Sequence, residues 1–179
     1  VYAVGSPVYL GRQLSTTPGQ REFLIINASN PAAPSLVGSL DLSANINEII
    51  VIGNYAYLAS AADTQELQVV NITNPSSPTL AGSLNLLPGT SDALSIDGFS
   101  NTVLLGRAST GLYIINVSNP STPVLISSIA AGGNVNDISL GNENAYAFLA
   151  TNSDTQEFQV IDISNLLSPI LVGGLNLSD

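Results

Sequence analysis

The chain has 179 residues, 45% of them hydrophobic and only 9% charged, and its three cations stand against 13 carboxylates for a net charge of −10. That balance repels phosphate backbones and anionic lipid heads, which argues against nucleic acid as a partner, and without a run of about 18 apolar residues nothing spans a membrane as a helix. Cysteine, histidine and lysine are all absent, which removes disulfides, thiolate metal sites, an imidazole base and a Schiff-base amine.

The length suffices for one domain with a substantial core. A chain that begins at Val1 and contains no methionine reads as a processed product or an excerpt of a longer one, and a secreted chain is expected. With so few charges, the surface must be covered by Ser, Thr, Asn and backbone.

Short apolar blocks bounded by turn residues predict strands throughout and no helix. In the first unit these are Val1 to Val4, Val8 to Gly11, Phe23 to Ala28 and Ser35 to Leu40. The second unit is clearest. Ile49 to Ile52 ends at Gly53-Asn54, a pair that accepts positive φ at little cost. Tyr55 to Ser60 follows, then Leu67 to Ile72, which Asn74-Pro75 and Pro78 terminate because proline cannot donate to a ladder. Thr79 to Leu84 completes the unit. The third reads Ala93 to Ile96, a turn at Asp97-Gly98, Thr102 to Gly106, Leu112 to Val117 and Val124 to Ile129. The fourth reads Ile138 to Leu140, a turn over Gly141 to Asn144, Ala145 to Thr151, Phe158 to Ile163 and Ile170 to Leu175.

One stretch recurs in all four units: FLIINASNPAAPSLVGSL from Phe23, LQVVNITNPSSPTLAGSL from Leu67, LYIINVSNPSTPVLISSI from Leu112 and FQVIDISNLLSPILVGGL from Phe158. Its second prolines, Pro34, Pro78, Pro123 and Pro169, are 44, 45 and 46 residues apart. Four short strands in a repeat of this length predict an all-β fold, a β-propeller blade in each unit. Residues 1–179 are therefore expected to form a single β-propeller domain with repeats at about 1–42, 43–86, 87–131 and 132–179. The architecture is a four-bladed ring or half of a larger one. The last residues are in phase with the first, which favours closure within the chain.

A second layer of order lies above the repeat. Units one and three share Leu10-Gly11-Arg12 and Leu105-Gly106-Arg107, whereas units two and four share Asp63 to Glu66 and Asp154 to Glu157. The chain reads as a duplicated pair. The loop between second and third strands varies, longest around Thr16 to Gln20 and shortest at Ser109-Thr110, and variable loops on a regular scaffold are where binding surfaces are built.

The unit GNYAYLA from Gly53, followed by the Leu67 to Leu84 stretch, resembles the LVIVD repeat, a β-propeller repeat of bacterial and archaeal surface or secreted proteins. The resemblance covers the chain in four copies. It implies a propeller fold and an extracellular or cell-surface location, and it carries no catalytic motif. Two departures stand out: Asp at the end of the third strand is kept only as Asp162, with Asn27, Asn71 and Asn116 elsewhere, and Asn-Pro becomes Asn165-Leu166, which puts the shape of that turn in question.

Two acidic sets are candidates for chemistry. Glu48, Asp92 and Asp137 open the first strands of units two to four and would form an acidic ring in the channel; their repetition equally fits strand capping between blades. Glu22, Glu66 and Glu157 precede third strands and fit a solvated strand edge or a hydrogen-bonding role. Asn27, Asn71, Asn116 and Asn176 begin N-x-Ser/Thr sequons. Their number is what this composition gives by chance, but three occupy equivalent positions, where Asn and Asp also serve as acceptors of an Asx-turn. No catalytic residue, metal site or cofactor is assigned.

The expected function is that of a non-enzymatic extracellular structural or adhesive module, able to self-assemble into an array or filament. Its partners would be further copies, surface proteins or glycans. The alternative is a glycan- or peptide-binding propeller using the variable loops; a carboxylate glycosidase or lyase is more distant.

Overall fold

A computed structural model describes residues 1–14, 20–87, 91–141 and 143–177. Four antiparallel sheets of four strands follow one another along the chain, each in simple meander order. The first holds β1 (Tyr2–Ala3), β2 (Pro7–Gly11), β3 (Phe23–Asn27) and β4 (Ser35–Leu40); the second β5 (Ile46–Ile52), β6 (Tyr55–Ser60), β7 (Leu67–Asn71) and β8 (Thr79–Leu84). The third holds β9 (Ala93–Phe99), β10 (Thr102–Arg107), β11 (Gly111–Asn116) and β12 (Val124–Ile129); the fourth β13 (Val135–Gly141), β14 (Tyr146–Thr151), β15 (Phe158–Asp162) and β16 (Ile170–Leu175). No helix occurs among the described residues, and none is long and apolar enough to cross a membrane. The loop expected over Thr16 to Gln20 lies, but for Gln20, outside the described residues, as does Asn142 of the fourth unit's first turn.

Local chemistry sets the blade. Gly53, at φ 60°, makes the tight turn between β5 and β6. Every third-to-fourth strand pair slips by one residue at the same place, between Ile25 and Ile26, Val69 and Val70, Ile114 and Ile115, and Val160 and Ile161. A bulge of this kind bends and twists the outer edge of each sheet. The turn that follows the third strand closes identically in all four blades, with Ala33, Ser77, Thr122 and Ser168 donating backbone N–H to the carbonyls of Asn30, Asn74, Asn119 and Asn165. Asn165-Leu166 therefore keeps the turn of its Asn-Pro counterparts.

The first strands differ most from expectation. β5, β9 and β13 each span seven residues, and the turn expected at Asp97-Gly98 falls instead at Ser100-Asn101, with Ser100 at φ 52°. Polar residues in these strands serve the neighbouring blade, as where Asn47 Nδ2 donates to the Ala93 carbonyl at 2.6 Å.

Three hydrophobic cores lie between consecutive sheets. Phe23, Ile25, Leu58 and Val70 fill the first junction, Leu67, Val69, Val103 and Leu105 the second, and Leu104, Leu112, Leu149 and Ile161 the third. Among the described residues no core joins the fourth sheet to the first. Among the described residues the blades form an open arc, in which the expected closure within the chain is not seen.

Candidate functional site

The first strands of blades two, three and four lie side by side along the inner edge of the arc. They carry Glu48, Asp97 and Asp137. Glu48 is half-buried, and its Oε2 accepts the Ile96 N–H of the next blade at 2.7 Å. Burial pushes its carboxyl above the usual range, and the negative charges of Asp137 and Asp97 act in the same direction; the Ile96 N–H opposes them. Asp97 Oδ2 accepts the Leu140 N–H at 2.9 Å, a second clip to the following blade, while its Oδ1 accepts Gly98 N–H at 2.7 Å. Asp137 is exposed, and its Oδ1 accepts Ile138 N–H at 3.0 Å.

Of the expected ring, Glu48 and Asp137 share a register position: they face Ala59 and Ala150 after equivalent bulges. Asp92 does not join them. It lies one residue ahead of β9, and the equivalent position is held by Ser95, opposite Gly106, whose Oγ donates to the Val135 carbonyl at 2.8 Å. Asp97 takes up the acidic role two residues further on the same face. The signal was the period-2 alternation from Ser95, which the reading of Asp97-Gly98 as a turn cut short. Among the described residues no three of Asp, Glu, His or Cys gather into a group that would hold a metal ion.

The second acidic set is architectural. Glu22 and Glu66 are 1% and 0% exposed. Through Oε2, Glu22, Glu66 and Glu157 accept the N–H of Leu42, Leu86 and Leu177, each 20 residues on, at 2.9, 2.9 and 2.7 Å. Glu66 Oε1 also takes Arg107 Nη2 of the next blade at 3.2 Å, both side chains being fully buried. Arg107 is anchored further by the Ser91 carbonyl and the Tyr113 hydroxyl.

At the third-strand ends, Asn27, Asn71 and Asn116 accept N–H from Ser29, Thr73 and Ser118 at 2.8 to 2.9 Å through Oδ1. Asp162 makes the same turn with Ser164. Asn and Asp are interchangeable here because only the acceptor oxygen is used. Asn176 lies past β16 at the end of the described chain. An apolar crevice beside Asn27, walled by Ile25, Val37 and Pro75, holds about 180 Å³ and contains no titratable side chain.

The sequence profile of the LVIVD repeat matches residues 19–42, 45–85, 106–131 and 132–176. Among solved structures the chain is similar to the periplasmic gluconolactonase PpgL of Pseudomonas aeruginosa, with a TM-score of 0.72 at 12% sequence identity. The match covers 87% of this chain and 48% of that one, so the chain spans about half the length of the structure it resembles. No curated protein matches. The expectation of a non-enzymatic structural or adhesive module, and with it the reading that excluded an enzyme, is overturned by this likeness: the fold taken as architecture is one that an enzyme uses.

Proposed function

The chain belongs to the LVIVD repeat family, and on that premise we propose that its blades wall an axial site that hydrolyses a small ester or lactone. The observation that carries the reading is Glu48: a half-buried carboxylate on an inner strand, its ionisation opposed by burial and by Asp137 and Asp97. A carboxyl shifted upward this way is a stronger proton acceptor than an ordinary carboxylate. In the step envisaged, Glu48 takes a proton from water as its oxygen attacks the substrate carbonyl. The acyl carbon–oxygen bond then breaks, and the same proton passes to the leaving alkoxide, giving a hydroxy acid. The gluconolactonase that shares the fold supports lactones as the substrate class.

Glucono-δ-lactone hydrolysis, followed by pH-stat, tests the reading. The protein should exceed the uncatalysed rate, and Glu48→Gln should lower that excess about 10²- to 10⁴-fold, while Asp92→Asn leaves it unchanged. A wild-type rate equal to buffer would sink the proposal.

A location outside the cytoplasm accompanies this reading, supported by the low charge and the periplasmic source of the matched structure. Glycans would attach at Nδ2 of Asn27 or Asn116, both exposed, leaving the Oδ1 turn contact in place. A mass loss on deglycosylation of the natively expressed protein checks this.

A further inference from the structure

The turn after each third strand leans on the blade before it, and the three seams between consecutive blades fill that contact differently. Pro75 O lies against Gly38, Pro120 O against Gly82, and Leu166 O accepts the Ser127 hydroxyl at 2.6 Å. Gly38, Gly82 and Ser127 hold one register position, opposite Ile25, Val69 and Ile114. The bulge residue just before it is Val37, Ala81 or Ile126. At the start of the second strand, opposite Asn27, Asn71 and Asn116, stand Pro7, Tyr55 and Thr102.

Two of these seams combine large with small. Between blades two and three the tyrosine Tyr55 is matched with the small Ala81, and both pack against the core of that seam. Between blades three and four the short Thr102, 7% exposed, is matched with the larger Ile126 and Leu166, which join the core there. The first seam combines Pro7 with Val37 and Pro75, and no member is large. Pro7 and Pro75 are exposed, whereas Tyr55, Pro120 and Leu166 are half-buried.

What is left in the first seam is the crevice of about 180 Å³, lined by Pro7, Ile25, Val37 and Pro75 together with Ser6 and Asn27. Ile25, 1% exposed, belongs to the core between blades one and two, so the crevice is part of that seam. The residue that fills the corresponding place in the next seam is a tyrosine.

We infer that the crevice binds a small molecule carrying one uncharged aromatic ring, seated as the Tyr55 side chain is seated one blade on. A dry apolar cavity of about 150 Å³ takes up benzene, so the volume admits one ring and little more. No side chain of the lining is titratable and the chain carries a net charge of −10. A carboxylate on the ring would therefore lose water without gaining a cation, whereas the hydroxyl of a phenol finds hydrogen-bonding groups in Ser6 and Asn27. Glu48 is not among the walls, and the binding site stands without the hydrolytic reading.

Phenol titrated into the protein, followed by side-chain methyl signals in NMR spectra, tests the inference. Saturable shifts are expected at Ile25 and Val37, with Val69 and Ala81 of the filled seam unmoved. Benzoate, ionised at neutral pH, should bind at least about tenfold more weakly than phenol. Pro7→Tyr, which follows blades two and four, should abolish the shifts while circular dichroism reports an intact fold. Val37→Ile, which follows blade three, is the milder variant and should weaken binding even if Pro7→Tyr fails to fold. Failure of phenol to saturate, shifts spread evenly over all blades, equal binding of benzoate, or binding that survives these substitutions in folded protein would each overturn it.

Discussion

Arg107 is wholly buried, and its guanidinium serves three acceptors: Ser91 O at 3.1 Å, Tyr113 Oη at 3.3 Å and Glu66 Oε1 at 3.2 Å, with the charge 5.1 Å from the Tyr113 ring centroid. A buried pair is a weak source of net stability, but removing one member strands the other charge. Arg107→Met should therefore cost about 3–5 kcal/mol in urea unfolding, and Arg107→Met with Glu66→Gln should recover part of that loss. By contrast, the Arg21–Asp41 pair, 3.6 Å apart with both side chains about half exposed, should contribute little when removed. Glu48 makes stability depend on pH. Its carboxyl titrates above the ordinary 4.5 in the folded state, so the folded form holds its proton more tightly and stability falls as pH rises through 4.5 to the folded value. Glu48→Gln should thus be more stable than wild type at pH 7, the difference shrinking toward pH 4; equal stability at both pH values would contradict the shift. Asp162, held below its ordinary 3.8 by Ser164, acts in the other sense: its contribution is present above 3.8 and is lost as pH falls through the folded value. Asn71→Asp should be tolerated at neutral pH, because Asp162 performs the same turn, whereas Asn71→Ala should cost about 1 kcal/mol.

The strands divide by how directly their own sequence specifies them. The fourth strands, Ser35–Leu40, Thr79–Leu84, Val124–Ile129 and Ile170–Leu175, occur at the expected bounds, because a proline or its turn fixes where each begins and an apolar block fixes where it ends. First strands were read short because Asn47, Ser95 and Asp97 break the apolar pattern; their side chains hydrogen-bond to the next blade, a use that no single strand displays. The same cause hid Asp97 from the acidic set and placed Asp92 in it wrongly. Close approach between elements was equally invisible: Gly38 and Gly82 look like ordinary strand glycines until the next blade's proline carbonyl appears beside them. Gly82→Ala should destabilise by about 1–3 kcal/mol through overpacking, read as a lowered urea midpoint with an unchanged slope.

At the scale of the whole molecule, the repeat was legible because spacing alone revealed it, while closure was not, since a phase match between chain ends does not fix the angle between blades. The alternation between blades carries a rule of parity. Gly111 occupies the position held by Glu22, Glu66 and Glu157 in the other three blades, and Ser60 and Thr151 occupy that of Arg12 and Arg107. Seams that receive an arginine therefore alternate with seams that do not. An arginine-bearing blade set directly after the third would face Gly111, which offers no carboxylate, whereas after any of the other three it would face a glutamate.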